Sequence, residues 1–118
     1  MPKSNKYTAF EMMVVAASRE IKDGELVFAG IGLPVLATTL AQKMHAPNAA
    51  ILFEAGGLKR GSCITLPLTV DDFGTFSMSD AAPGMYASMA ALGRGDVDVA
   101  FIGGAQVDKY GNVNSTLI

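Results

Sequence analysis

One acidic residue, Glu54, lies where a carboxylate can do chemistry. It follows the apolar run Ala49–Phe53, which predicts a buried strand, and precedes the segment Ala55-Gly56-Gly57. Charged side chains are rarely buried without a partner, and ligands of open α/β sheets bind at the carboxyl ends of the strands. Glu54 is therefore a candidate nucleophile, general base or ribose ligand. The alternative is a strand-end glutamate that pairs with Lys59 or Arg60 before a flexible turn.

The glycines after Glu54 add a physical reason for the functional interpretation. Without a Cβ, Gly56 lets a substrate approach from a side that another residue would block. The backbone N–H groups of Gly56 and Gly57 can also stabilise negative charge that develops during a reaction.

A second glycine-bearing turn, Gly30-Ile31-Gly32, follows a predicted strand and precedes a predicted helix. In dinucleotide sites, glycines at such a turn let the backbone approach a pyrophosphate, and an acid after the next strand binds a ribose. The third glycine of that fingerprint is absent here, because Val35 takes its place. A bare G-x-G is more often only a tight turn, so a phosphate-bearing ligand in general is better supported than NAD or FAD.

A third segment follows the last predicted strand. It begins with Gly103, Gly104 and Ala105 and continues through Gln106 and Asp108. Its later part, up to Asn112, has the composition of a simple turn. Its start, however, is expected on the same edge of the sheet as Gly30 and Glu54, where open α/β sheets bind ligands. Three glycine-bearing strand ends on one edge predict a site.

The elements that would position these residues follow from hydrophobic periodicity and from capping and turn residues. In chain order they are a helix from the capping box Thr8/Glu11 to Asp23-Gly24, a strand Leu26–Ala29, a helix Leu33–Met44, a strand Ala49–Phe53, an irregular stretch Leu58–Ser79 with β-prone pieces at Ile64–Val70 and Phe73–Phe76, a helix from an Asp80 N-cap through Leu92, and a strand Val97–Ile102. Alternating helices and buried strands predict an α/β fold with an open, mainly parallel, doubly wound sheet flanked by helices.

The chain is expected to be one domain, residues 1–118. Its last residues, Val113–Ile118, have the pattern of a further β segment that no helix or polar tail follows. We therefore expect an incomplete domain, truncated at its C-terminus.

Composition excludes several classes of protein. Hydrophobic residues make up 50% of the chain and charged residues 17%, which favours a compact body with an apolar core or interface. A net charge of −2 argues against nucleic-acid binding. No apolar run is long enough for a membrane span, and no cluster of His, Cys and carboxylates indicates a metal site. The single cysteine, Cys63, and the lack of a signal-peptide pattern predict a cytoplasmic protein.

The chain resembles the B subunit of family I coenzyme A-transferases, of the glutaconate CoA-transferase type, over essentially its whole length. Three segments carry the resemblance: Val27-Phe28-Ala29-Gly30-Ile31-Gly32-Leu33-Pro34, then Leu52-Phe53-Glu54-Ala55-Gly56, and, most specifically, Phe101-Ile102-Gly103-Gly104-Ala105-Gln106-Val107-Asp108-Lys109-Tyr110-Gly111-Asn112-Val113-Asn114.

The resemblance implies an acyl-CoA:carboxylate CoA-transferase whose catalytic glutamate is Glu54, which carries CoA as a glutamyl thioester. Coenzyme A is then a cosubstrate, with no permanently bound cofactor, and a homologous A subunit completes the active site in a hetero-oligomer. The loops Gly30–Gly32, Ala55-Gly56 and Gly103–Gln106 would bind CoA or substrate or supply oxyanion donors, and Asp108 and Asn112 would support them.

The resemblance leaves alternatives open. A family B subunit continues past Asn114 into a glycine-rich portion that helps bind CoA, so this chain alone is expected to be inactive. A related branch hydrolyses carbon–carbon bonds in ring-opened steroid CoA thioesters without the glutamate as nucleophile, and Glu54 favours transfer over that reaction. A non-catalytic fragment and a dinucleotide-binding domain are the remaining hypotheses.

Overall fold

The computed structural model describes residues 6–61, 74–77 and 79–117. Helices and strands alternate along much of this part of the chain. In order they are α1 (Ala9–Arg19), β1 (Leu26–Ala29), α2 (Leu33–Met44), β2 (Ala50–Phe53), β3 (Leu58–Arg60), α3 (Gly74–Ser77), α4 (Met85–Arg94), β4 (Val99–Phe101), β5 (Gln106–Val107) and β6 (Val113–Asn114).

The main sheet has the strand order β3-β2-β1-β4. Strands β2 and β4 run parallel to β1, so that Val27 lies opposite Ile51 on one side and Val99 on the other. Strand β3 is antiparallel to β2, and β5 and β6 form a separate antiparallel hairpin. The prediction of an open, mainly parallel sheet is confirmed.

Side chains alternate between two apolar layers, one on each face of the sheet. On one face Ala29, Ile51 and Phe53 pack with Val35 of α2, and α1 packs on α2 in turn. On the other face Phe28 and Leu52 pack with α4. Because both faces are covered, strands β1 and β2 have continuous apolar sequences rather than alternating ones.

The first half of the chain forms the elements that the sequence predicts, except that α1 ends at Arg19, before the predicted stop at Asp23-Gly24. Thr8 Oγ1 accepts a hydrogen bond from the backbone N–H of Glu11 at 3.1 Å, and a Glu11 carboxylate oxygen accepts one from the N–H of Thr8 at 2.6 Å. The capping box that begins α1 is therefore confirmed. Strand β1 and helix α2 have the predicted bounds, and β2 starts one residue later than predicted.

The start of α4 corrects the sequence analysis, because its N-cap is Gly84 and not Asp80. Pro83 disfavours helical backbone at the residue before it, and Gly84 has φ +87°, so the helix begins only at Met85. Asp80 instead accepts a hydrogen bond from the backbone N–H of Arg60 at 2.6 Å. Its carboxylate thus helps to hold the end of β3.

Three further predictions differ from the structure. The stretch after Gly57 is not irregular at its start, since Leu58–Arg60 is a strand. The β-prone piece Phe73–Phe76 is a helical turn from Gly74 onward, where the backbone packs against Gly57 and tertiary contact overrides local propensity. Strand β4 is limited to Val99–Phe101, shorter than predicted. The predicted piece Ile64–Val70 and Cys63 lie outside the described residues.

Candidate active site

Glu54 lies in a tight turn that joins β2 to β3. The backbone N–H of Gly56 donates to the carbonyl oxygen of Phe53 at 2.9 Å, and the N–H of Phe53 donates to the carbonyl oxygen of Gly57 at 2.8 Å. These two bonds leave Glu54 and Ala55 between them, just beyond the carboxyl end of β2. The turn therefore holds the Glu54 backbone in place while its side chain projects from the edge of the sheet.

The turn is packed directly onto the start of α4. Gly56 has φ +107°, and a Cβ at this position would overlap the backbone of Gly84. The N–H of Gly84 donates to the carbonyl oxygen of Gly56 at 3.3 Å. The hydroxyl of buried Ser88 donates to the carbonyl oxygen of Phe53, also at 3.3 Å. Only glycine meets both the backbone angle and the close approach.

The Glu54 carboxylate is half-buried. Among the residues that the structure describes, none donates a hydrogen bond to this carboxylate. The salt bridge found in this part of the chain joins Arg94 to Asp96 and does not involve Glu54. The alternative in which Glu54 pairs with Lys59 or Arg60 is thus not realised. A Cβ on Gly30 would lie 3.9 Å from Glu54 Oε2, so glycine keeps that approach to the carboxylate open.

Glu54 forms part of the wall of a pocket of about 720 Å³. The ends of three parallel strands supply this part of the wall, as predicted from their glycines: Gly30 and Ile31 after β1, Glu54 after β2, and Ile102, Gly103 and Gly104 after β4. This is the size range of small-molecule sites, and the carboxyl edge of a parallel sheet is where such sites form.

The other walls are apolar and come from three helices. Helix α1 contributes Met13, Val14 and Ala17, α4 contributes Met89 and Leu92, and the first turn of α2 contributes Leu33 and Pro34. These walls were not predicted from the sequence, where the glycine-bearing strand ends alone indicated a site. Met13 is 53% exposed and Met89 is 42% exposed, so neither is a core residue. Apolar residues at helical spacing on α1 and α4 were the available signal.

Other predicted site residues adjoin the pocket but are not among the described residues that line it. Gly32 is the N-cap of α2 with φ +95°, and Ala55 and Gly56 form the turn behind Glu54. Ala105 and Gln106 lead from the pocket into the β5–β6 hairpin. The structure thus brings together the three glycine-bearing loops, with the Gly30 loop between Glu54 on one side and the Gly103–Gly104 loop on the other.

The hairpin residues Asp108 and Asn112 contact one another rather than the pocket. The Asp108 carboxylate accepts hydrogen bonds from the backbone N–H groups of Tyr110 and Asn112 and from the side-chain amide of Asn112, at 2.8 to 2.9 Å. Gly104 packs beneath this hairpin, since a Cβ there would lie 2.5 Å from Val113 Cγ1. Asp108 therefore orders a hairpin that lies against one pocket loop.

We expect the order of this hairpin to be lost in acid. Hydrogen bonds from the Asn112 side chain and backbone lower the pKa of Asp108, so its stabilising contribution is present above the unfolded-state pKa and disappears as the pH falls through the lower folded-state value. Replacing Asn112 by alanine should raise the pKa of Asp108 toward its usual value. Carboxyl NMR titration measures this; an unchanged Asp108 titration would contradict it. Replacement of the exposed Ser115 by alanine is the matched control.

The described residues also bear on metal binding and on membrane insertion. No group of three or more His, Cys, Asp or Glu side chains in this part of the chain could hold a metal ion. Within the same residues, no helix has the length and apolar character to cross a membrane.

Sequence comparison relates this chain to CoA-transferases. It is 38% identical over 113 residues to the B subunit of 3-oxoadipate CoA-transferase from Pseudomonas knackmussii, a match that covers 95% of this chain and 43% of the relative. It is 35% identical over 123 residues to the B subunit of glutaconate CoA-transferase from Acidaminococcus fermentans, a match that covers 100% of this chain and 46% of the relative. The chain thus spans less than half the length of these curated relatives.

Comparison with solved structures also relates this chain to a CoA-transferase. The crystal structure of glutaconate coenzyme A-transferase from Acidaminococcus fermentans matches with a TM-score of 0.81 and 33% identity, over 96% of this chain and 45% of that one. The crystal structure of the decarboxylase AibA/AibB matches with a TM-score of 0.77 and 32% identity, over 91% of this chain and 45% of that one. The fold therefore serves more than one chemistry, and the residues of the site must decide between them.

A family model described as coenzyme A transferase matches residues 10–118. This match covers the three glycine-bearing loops, Glu54 and every strand of the described sheet. It agrees with the resemblance carried by the sequence segments, and it leaves the dinucleotide-binding hypothesis without support. The chain belongs to the coenzyme A transferase family.

Proposed function

We propose that this chain is part of a B-type subunit of an acyl-CoA:carboxylate CoA-transferase, in which Glu54 carries CoA. The observation that supports this most is the position of Glu54. Its carboxylate lies in the pocket wall at the end of β2, no described residue pairs with it, and Gly30 leaves one approach to it open. A carboxylate that forms a covalent intermediate needs this accessibility.

The proposed reaction uses the carboxylate twice. A Glu54 oxygen attacks the thioester carbonyl, the carbon–sulfur bond breaks, and a mixed anhydride and CoA thiolate form. The thiolate then attacks the glutamyl carbonyl, the anhydride bond on that carbon breaks, and the donor acid leaves with a Glu54 oxygen. The resulting glutamyl-CoA thioester passes CoA to an acceptor carboxylate by the reverse steps, which gives ping-pong kinetics.

The surrounding loops have proposed roles in this reaction. The N–H groups of Gly30–Gly32 and Gly103–Ala105 are candidate oxyanion donors, and Gly30 and Gly103 line the pocket. The apolar walls would exclude water, which protects an anhydride from hydrolysis. Gln106, Asp108 and Asn112 would support the loop through the hairpin that packs on Gly104.

The proposal includes an A-type partner, because both curated relatives are B subunits. Exposed apolar side chains on α1 and α4, such as Phe10 and Tyr86, fit a surface that another polypeptide covers. Coenzyme A would be a cosubstrate with no resident cofactor, and the cytoplasm, where CoA thioesters are used, is the proposed location.

The source of oxygen in the product acid tests transfer against hydrolysis. The full-length protein and its A-type partner are incubated with an acyl-CoA and an acceptor acid in isotopically labelled water. Transfer predicts that the released acid contains no solvent oxygen, because its new oxygen comes from Glu54. One labelled oxygen in each released acid would instead show thioester hydrolysis and contradict the proposal.

Replacing Gly30 by alanine is expected to impair transfer without unfolding the protein. The added Cβ would be in ordinary contact with Glu54 Oε2, at 3.9 Å, and φ of Gly30 is not in the left-handed region. The methyl group would occupy the space through which a thioester approaches Glu54. A displacement of the thioester by about 1 Å costs about 10²-fold in rate. Steady-state transfer and thermal melting measure the two effects. Unchanged kcat/KM would contradict an approach past Gly30.

A further inference from the structure

The pocket wall beside Glu54 is apolar on two sides. Met13 and Val14 of α1 lie on one side, and Met89 and Leu92 of α4 lie on the other. Among the described residues that line the pocket, the charged group is the carboxylate of Glu54 itself. A second carboxylate in this space would lose its hydration and be repelled by the nucleophile.

We propose that the acyl group held beside Glu54 is an uncharged, apolar chain rather than the remainder of a dicarboxylic acid. This inference rests on the proposed function, because it places the thioester carbonyl at the Glu54 carboxylate. From that point the chain of the acyl group lies against Met13 and Met89. It differs from the acids in the names of the two curated relatives, glutaconate and 3-oxoadipate, which both carry a second carboxylate.

The two methionines suit this role. Methionine is unbranched and polarisable, and it adapts to apolar groups of different shape. Met13 and Met89 are both half exposed, so contact with an acyl chain would remove apolar surface of the protein from water together with that of the substrate. Each methylene buried in this way strengthens binding about fourfold.

The test compares hexanoyl-CoA with adipyl-CoA, which have acyl chains of equal length and differ in the terminal carboxylate. The full-length protein with its A-type partner is assayed with acetate as acceptor. We expect kcat/KM for hexanoyl-CoA to exceed that for adipyl-CoA by about tenfold or more, since the apolar wall penalises the carboxylate. Between butyryl-CoA and hexanoyl-CoA, kcat/KM should rise about fourfold per methylene. Equal or better use of adipyl-CoA would overturn the proposal.

A matched pair of variants tests where the acyl chain lies. Met13→Lys places an ammonium group in the pocket wall, and its partial exposure makes lysine compatible with folding. This variant should reduce the preference for hexanoyl-CoA about tenfold by pairing with the terminal carboxylate. Met44→Lys, on the exposed end of α2 outside the pocket, should leave the preference unchanged. An equal effect of the two variants would overturn the proposed position.

Binding separates this inference from the proposed function. The Glu54→Ala enzyme cannot form the covalent intermediate, so the affinities of hexanoyl-CoA and adipyl-CoA for it report the pocket alone. Tighter binding of hexanoyl-CoA supports an apolar acyl site even if the wild-type enzyme transfers no CoA, in which case only the proposed reaction fails. Tighter binding of adipyl-CoA by an enzyme that does transfer CoA overturns the acyl site and leaves the reaction standing.

Discussion

Replacing Glu54 by alanine is expected to abolish CoA transfer, with kcat reduced by at least about 10⁴-fold, as for other covalent nucleophiles. Both covalent steps of the proposed reaction take place on this carboxylate. Among the described residues that line the pocket, it is the carboxylate present, so no neighbour in that set can replace it. Steady-state transfer by the full-length protein with its A-type partner measures the loss.

The same replacement should leave the fold intact, which separates a chemical role from a structural one. Glu54 is half-buried and no described residue pairs with it, so its removal breaks no hydrogen bond found in the structure. Thermal melting should therefore match the wild type. Glu20→Ala, at an exposed glutamate that ends α1, is the control and should retain full activity. Activity of Glu54→Ala near that of Glu20→Ala would refute the role of Glu54.

The glutamine variant gives an additional kinetic signature. Glu54→Gln should be inactive at first, because an amide does not attack a thioester. Slow deamidation would restore the glutamate, so activity should recover with time of incubation. Alanine is thus the cleaner variant for measuring the size of the loss, and glutamine shows that the carboxylate alone restores it.

Replacing Gly56 by alanine is expected to have the largest effect on stability, lowering the free energy of unfolding by about 3 kcal/mol or more. Two costs combine at this position. The backbone has φ +107°, which L-residues with a Cβ rarely adopt, and that Cβ would overlap the backbone of Gly84. Relief would require the turn to move away from α4, and Glu54 would move with it.

A second glycine in the same region provides the matched control. Gly93 lies inside α4, its φ is not positive, and a Cβ there would meet nothing within 4 Å. Gly93→Ala should therefore stabilise the protein, by about 0.5 to 1 kcal/mol, because alanine favours a helix interior over glycine. Chemical denaturation of the full-length protein compares the two. Equal stability of Gly56→Ala and the wild type would show that the turn is not fixed against α4.

The sequence predicted the positions of Gly30, Glu54 and Gly103 on one edge of the sheet, because parallel strands must end at the same edge. Continuous apolar runs at Leu26–Ala29 and Ile51–Phe53 marked buried parallel strands. Helix starts were predictable where a side chain caps them, as Thr8 does for α1. These features are local, and local sequence determines them.

Features that depend on distant contacts were not predictable in the same way. The antiparallel strand β3 depends on pairing with β2, and Asp80 holds β3 instead of capping α4. The packing of Gly56 against Gly84 joins two segments far apart in sequence. The pocket walls were missed for the same reason, because Met13 of α1 and Met89 of α4 line one pocket only in the folded chain.

The most direct test of the central claim is to look for CoA on Glu54. The full-length protein and its A-type partner are incubated with acyl-CoA esters that differ in chain length and in charge, then analysed by intact mass and peptide mapping. We predict a CoA adduct on the peptide that contains Glu54, which borohydride reduces and an acceptor acid discharges. Turnover of the same esters with no such adduct, or with an adduct on another residue, would contradict the claim.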